Sequence, residues 1–270
     1  EIIEYIIDNY TLEAGVRDIK RKLEDILLNL NIDKIYKKGL FSKNRKRIQI
    51  DQNLIKKILK TPNDDNSNIH NSPEIGIING LYASSNGSGG IVPIQIFNNI
   101  SSKNLEFEFK LTGKQGDVMK ESVNCSYTAA TQYIVRNSKK YKIDDLSKLI
   151  NNNFKYGFHV HAPSTSTPKD GPSAGCAFTS CFISRLLGKK IKNDVAMTGE
   201  IELTGKITKI GGLNFKLIGA KRAGVKLVYV PLENKKDLDE IKEKYSKLID
   251  DNFKVETFEY IDEIVDKILI

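Results

Sequence analysis

A serine, two histidines and a lysine are the residues of this 270-residue chain whose settings suit nucleophilic chemistry. Ser173 sits in "DGPSAG", where Asp170 and Gly171 precede a proline suited to a first helical turn. The small residues Ala174, Gly175 and Ala177 that follow let a second backbone come close. At a helix start the serine would face free backbone N–H groups able to bind a developing oxyanion. The same hydroxyl would also serve as an ordinary helix cap. A nucleophilic serine needs a base, and "FHVHAP" supplies His159 and His161, which alternate on an expected strand and share a face. They fit a Ser-His pair, two ligands of a metal for which no third ligand stands out, or half-buried strand residues. His70 lies in a polar stretch remote from these motifs. The remaining candidate is Lys216 in "TKIGGLNFKLIGAKRAGVK", in line with Gly219, Ala220 and Ala223. Desolvation on such a face, aided by the positive end of the helix dipole, lowers a lysine pKa from about 10.4 toward neutrality and makes the amine a usable base. A lysine snorkelling to the surface is the other reading.

The elements that would position these groups fall into two parts. Residues 1–60 carry helical periodicity: Ile19, Leu23, Ile26 and Leu27 form one apolar stripe, and Ile50, Leu54 and Ile58 continue in a second helix. Residues 61–74 are polar, proline-bounded and unable to bury anything, as a linker is. From 75 to 270, short alternating or β-branched runs ("GGIVPIQIF", "LEFEFKL", "YGFHVHAP", "KLVYVP", "FKVETF") interleave with helical patterns near 117–137, 172–187, 213–223, 233–248 and 260–269. That alternation predicts an α/β (α+β) domain preceded by a small all-helical segment.

Composition bounds the function. With 40% hydrophobic residues the chain can bury a core of normal size, and its length suits one full domain plus part of another. Cys125, Cys176 and Cys181 form no paired spacing, which points to a reducing compartment. No apolar run reaches membrane-spanning length, no signal-like segment is present, and Glu1 is not an initiator methionine, so the chain reads as a soluble fragment with no membrane contact. The net charge of +8 comes from lysines interspersed with acids, a solvated surface. Nucleic-acid contact is compatible with it but not indicated, since no basic stripe with interleaved aromatics occurs.

"PKDGPSAG", "MTGE" at 197–200 and the "GG" pair before Lys216 together resemble the proteolytic domain of the Lon family of ATP-dependent proteases. The similarity runs from about residue 75 to the end, through "TGKQGDVMKES", "HVHAP" and "VPLENKKDL". It implies Ser173 as nucleophile, Lys216 as general base and Thr198 as the hydroxyl that holds the lysine. Asp170 would shape the serine loop or cap a helix, and His161 and His159 would be supporting structure. "YTLEAGVRDIKRKLEDI" resembles the end of the small helical subdomain of the Lon AAA+ module, with Arg17 matching the arginine that senses nucleotide. No G-x-x-x-x-G-K-[ST] loop occurs, so these residues are not expected to hydrolyse ATP by themselves. The resemblance further implies no cofactor or metal in this chain, ATP and Mg in the full-length enzyme, and a hexameric ring that degrades unfolded or damaged proteins. The expected compartment is the mitochondrial matrix, with the bacterial cytoplasm as alternative. Lon-like folds also occur as non-proteolytic assembly domains, which generally lack the serine and lysine. Two places depart from the family pattern: "GLYASSNGSGG" at 80–90 stands where Lons usually read something like "GLAWT..GG", and Asn214 and Phe215 stand where Lys-Glu is usual. The first lies near the substrate groove in that family.

Overall fold

The computed structural model describes residues 1–11, 15–36, 38, 48–60, 68–84, 87–102, 106–163 and 170–270. These form two compact units. The first contains helices α1 (Ile2–Tyr10), α2 (Arg17–Ile35) and α3 (Gln52–Leu59). Asp51 caps α3 by accepting from the Leu54 amide at 2.8 Å. Ile6, Tyr10, Ile26 and Ile55 form the core of this unit, with Ile19, Leu23, Ile50 and Ile58 packed on it. Leu27, expected in the same apolar stripe, is 57% exposed.

The second unit begins with β1 (Glu74–Ile75), β2 (Ile77–Ala83), β3 (Gly89–Asn98) and β4 (Glu108–Thr112). Three helices follow, α4 (Asp117–Arg136), α5 (Ser138–Tyr141) and α6 (Leu146–Asn153), and then β5 (Gly157–His161). A 3-10 turn, Pro172–Ala174, runs into α7 (Gly175–Leu187). After it come β6 (Lys190–Ile191), β7 (Val195–Met197), β8 (Glu200–Ile201), β9 (Ile207–Thr208) and α8 (Leu213–Arg222). The chain ends with β10 (Leu227–Pro231), α9 (Lys235–Lys244), β11 (Lys254–Phe258) and α10 (Val265–Ile268). Residues 61–67 of the expected linker lie outside the described residues; at its other end the Ile69 amide donates to the Ala223 carbonyl.

The central sheet has the order β11-β10-β7-β2-β3-β5-β4. β11, β10, β7 and β2 run parallel, β3 is antiparallel to its neighbours β2 and β5, and β4 pairs parallel with β5. Side chains alternate between faces along a strand, and two apolar cores follow that alternation. Ile78, Ile94, Val195 and Tyr229 pack with α4 and α7 on one side. Leu81, Ile91, Ala196 and Val228 pack with α8 and α9 on the other. The architecture is therefore α/β in three layers, the expected class. Helix α7 runs inside the protein with nearly every residue buried, and its polar Thr179, Ser180 and Ser184 hydroxyls are all hydrogen-bonded there.

Candidate active site

Residues from both helical layers meet at the carboxyl end of β7, a usual place for sites in open parallel sheets. Ser173 comes from the α7 layer. Gly171, two residues before it, has φ +136°, which a side chain rarely tolerates, while the space around it is open. Glycine is needed there for its backbone alone. Pro172 fixes the first residue of the turn. The Ser173 carbonyl accepts from the Gly199 amide at 2.8 Å, and the Cys176 amide donates to the Gly199 carbonyl at 3.0 Å. This reciprocal pair locks the start of α7 onto the segment after β7. The close approach read from the small residues is real: a Cβ on Gly175 would lie 2.8 Å from the Ile201 nitrogen.

Lys216 comes from the α8 layer, one turn into a helix that opens at Gly212 with φ +67°. Its side chain passes through the protein rather than to the surface, and the residue is 3% exposed. The Nζ atom lies 2.9 Å from Ser173 Oγ and 2.9 Å from Thr198 Oγ1. Burial lowers its pKa to about 8, with a smaller opposing effect from the neighbouring Cys176 thiol. Burial also pushes the Cys176 thiol up to about 12, so that group stays neutral. Thr198 is fully buried and donates its hydroxyl hydrogen to the Ser173 carbonyl at 3.1 Å. Its oxygen can then only accept from Lys216. An amine that donates to Thr198 keeps its lone pair for the serine hydroxyl.

Asp170 is exposed and takes a different position. Helix α4 starts at Gly116, which has no side chain to cap it, and Asp170 Oδ1 fills that role by accepting from the Met119 amide at 3.0 Å. It also accepts from the Gly171 amide at 3.1 Å, tying the serine loop to α4. A Cβ on Gly116 would sit 2.4 Å from the Asp170 carboxyl carbon, so glycine makes room for this cap. His159 and His161 share one face of β5, and both bond Thr112 Oγ1, at 2.9 Å and 2.7 Å. Desolvation and the nearby Lys110 and His161 lower the His159 pKa. Arg17 is exposed at the first position of α2, in the other unit. Among the described residues no cluster of three or more His, Cys, Asp or Glu is placed to hold a metal, and no helix is long and apolar enough to cross a membrane. All three cysteines are free.

Reading residues singly misses Gly199 and Met119, whose amides are the partners of Ser173 and Asp170. Their signal lay inside "MTGE" and "GDVMKES", motifs whose contacts are made by backbone and so leave no mark in residue type.

Residues 49–270 match the Lon protease (S16) C-terminal proteolytic domain, and residues 1–38 match the Lon protease AAA+ ATPase lid domain. A Lon protease homolog of Acanthamoeba polyphaga mimivirus is 45% identical over 98% of this chain and 30% of its own length. The Lon protease of Clostridium acetobutylicum is 35% identical over 99% of this chain and 31% of its own. That of Buchnera aphidicola is 38% identical over 87% and 28%. The chain thus spans less than a third of the length of these relatives. With both matches in the family's order, and the proteolytic one covering the whole three-layer unit, the chain belongs to the Lon protease family.

Proposed function

We propose that this chain is the peptide-cleaving part of an ATP-dependent Lon-type enzyme, a serine endopeptidase in which Ser173 is the nucleophile and Lys216 the general base. The observation that carries the reading is a buried lysine amine 2.9 Å from a serine hydroxyl at a helix start. Neutral Lys216 accepts the Ser173 proton as Oγ attacks the peptide carbonyl carbon. Backbone N–H groups of the 3-10 turn stabilise the tetrahedral oxyanion. The carbon–nitrogen bond then breaks, the leaving amine takes the proton from Lys216, and an acyl-enzyme remains. Water attacks the ester, giving a proton to Lys216, and that proton returns to Ser173 Oγ as the acid leaves. Thr198 keeps the amine aimed through this cycle, and Asp170 holds the loop that presents the serine. His161 and His159 brace β5 against β4 through Thr112.

The full-length enzyme on this reading is a homo-hexameric ring, fed with unfolded or damaged proteins by ATPase modules. These 270 residues contain no phosphate loop, and ATP and Mg belong with other parts of that enzyme. Arg17, exposed on α2, offers a nucleotide phosphate a guanidinium and would sense it. The compartment is a reducing one, the mitochondrial matrix or the bacterial cytoplasm; the bacterial relatives named above fit the second.

The test is a fluorophosphonate probe followed by mass mapping. The adduct should sit on Ser173, and formation should be lost in Lys216→Arg. Labelling elsewhere, or labelling of Ser173 indifferent to Lys216, would remove the assignment.

A further inference from the structure

The first residue of β3 lies directly against the peptide that carries Lys216. A Cβ on Gly89 would be 2.2 Å from the Phe215 carbonyl oxygen and 3.0 Å from the Lys216 nitrogen. Further along α8, a Cβ on Gly219 would be 2.2 Å from the Gly89 carbonyl carbon and 2.4 Å from the Gly90 nitrogen. Strand and helix therefore meet backbone to backbone, with no side chain between them. Leu213 and Leu217 of α8 belong to the same apolar core as Leu81 and Ile91, which holds the helix on the sheet. At the glycine seam that grip is missing. What spans it is Arg222, the last residue of α8, whose Nη2 donates to the Gly89 carbonyl at 3.1 Å. Arg222 is otherwise exposed and has no ion pair among the described residues.

We propose that Arg222 is a positioning residue for Lys216: its bond to Gly89 clamps β3 onto the Phe215–Lys216 peptide and keeps water from the amine. This rests on the serine–lysine reading above. The groups facing Lys216 are the hydroxyls of Ser173 and Thr198 and the neutral Cys176 thiol. No carboxylate is among the causes that set its protonation. Burial is then what lowers the proton affinity of the amine, and the close backbone contact of Gly89 with the Phe215–Lys216 peptide is part of the packing that keeps it buried. Arginine suits the task because its planar fork reaches a backbone carbonyl without needing a counter-charge.

The experiment uses the whole chain and the variants Arg222→Ala, Arg222→Met and Arg222→Lys, each first checked by far-UV circular dichroism. Two profiles against pH are read: kcat/KM on a fluorogenic peptide, and the rate at which acetic anhydride acylates Lys216, mapped by mass spectrometry. In the Ala and Met variants both midpoints should rise by about one pH unit, lowering activity near neutrality about tenfold, with little change in KM. Wild type and variants should converge at high pH, and Arg222→Lys should recover part of the loss. Met keeps the apolar stem and decides the matter if Ala fails to fold. Unchanged acylation midpoints in both variants would overturn the clamp. A shifted acylation midpoint with an unmoved activity profile would support the clamp and instead remove Lys216 as the base.

Discussion

Thr198 donates its hydroxyl hydrogen to the carbonyl of Ser173 at 3.1 Å while its oxygen lies 2.9 Å from Lys216 Nζ. That bond leaves the threonine oxygen free only to accept from Lys216, and so it sets which way the lysine lone pair points. Thr198→Val keeps the shape and removes the hydroxyl, leaving a buried Lys216 N–H short of an acceptor while the Ser173 carbonyl keeps only the Gly199 amide. The expected cost is about 1–3 kcal/mol in stability. Turnover should fall on the order of ten- to a hundredfold with little change in KM, and Thr198→Ser should restore most of it. Steady-state kinetics on a fluorogenic peptide, with melting curves alongside, checks both. A Val variant at full speed would show that the hydroxyl orients nothing.

Asp170 should matter as a helix cap before it matters as a charge. Asp170→Asn keeps an oxygen for the Met119 amide and should retain most stability and activity. Asp170→Ala loses the cap, at about 1 kcal/mol, which for a domain of this size lowers the melting temperature by about 2–4 °C. Equal damage from Asn and Ala, read by calorimetry and turnover, would mean that the negative charge itself is required.

Lys216 weakens the fold that holds it. Its folded pKa of about 8 lies below the ordinary 10.5, so between those pH values the unfolded chain binds the additional proton. Stability must therefore rise with pH through that window, the burial cost being fully present below it and gone above it. Lys216→Met should be inactive yet more stable than wild type at neutral pH, by a gap on the order of 3 kcal/mol. The gap should shrink toward zero as pH approaches the ordinary lysine value. Denaturant melts at neutral and alkaline pH measure it; a Met variant no more stable at neutral pH would contradict a buried amine with a lowered pKa.

Much of this fold was legible because its outer elements advertise themselves. β3, β5, β10 and β11 carry β-branched or alternating runs, and α4, α7 and α8 carry long helical patterns. The centre of the sheet was harder to read. β2 is "IINGLYA", buried on both faces and interrupted by Gly80, and β7 is only "VAM", so neither has the alternation that marks a half-buried strand. α6 was missed although Asp145 caps it at the Lys148 amide and Leu146, Leu149 and Ile150 mark one face, because it is a short helix, Leu146–Asn153, that buries none of them fully. Leu27 was placed in a buried stripe and lies outside it: Ile26 takes the core position, and the neighbouring position rotates into solvent. At the site, the motifs pointed to Ser173 and Lys216 as a pair, and their side chains lie 2.9 Å apart. Asp170 was left between two roles, because its partner Met119 lies 51 residues earlier and only the fold brings them together.

On the proposed reading a neutral lysine, and not a histidine, takes the proton of Ser173. The direct measurement is peptide turnover against pH for wild type, Ser173→Ala, Lys216→Arg and His161→Ala. Guanidinium keeps the charge and length of lysine but cannot release its proton in a protein. Lys216→Arg should therefore be as inactive as Ser173→Ala, with losses on the order of a hundredfold or more. His161→Ala removes a group bonded to Thr112 and should keep a measurable fraction of activity. Wild-type turnover should climb with pH through about 8 and stay high beyond it. An active Lys216→Arg beside an inactive His161→Ala would rule out Lys216 as the base and put a serine–histidine pair in its place.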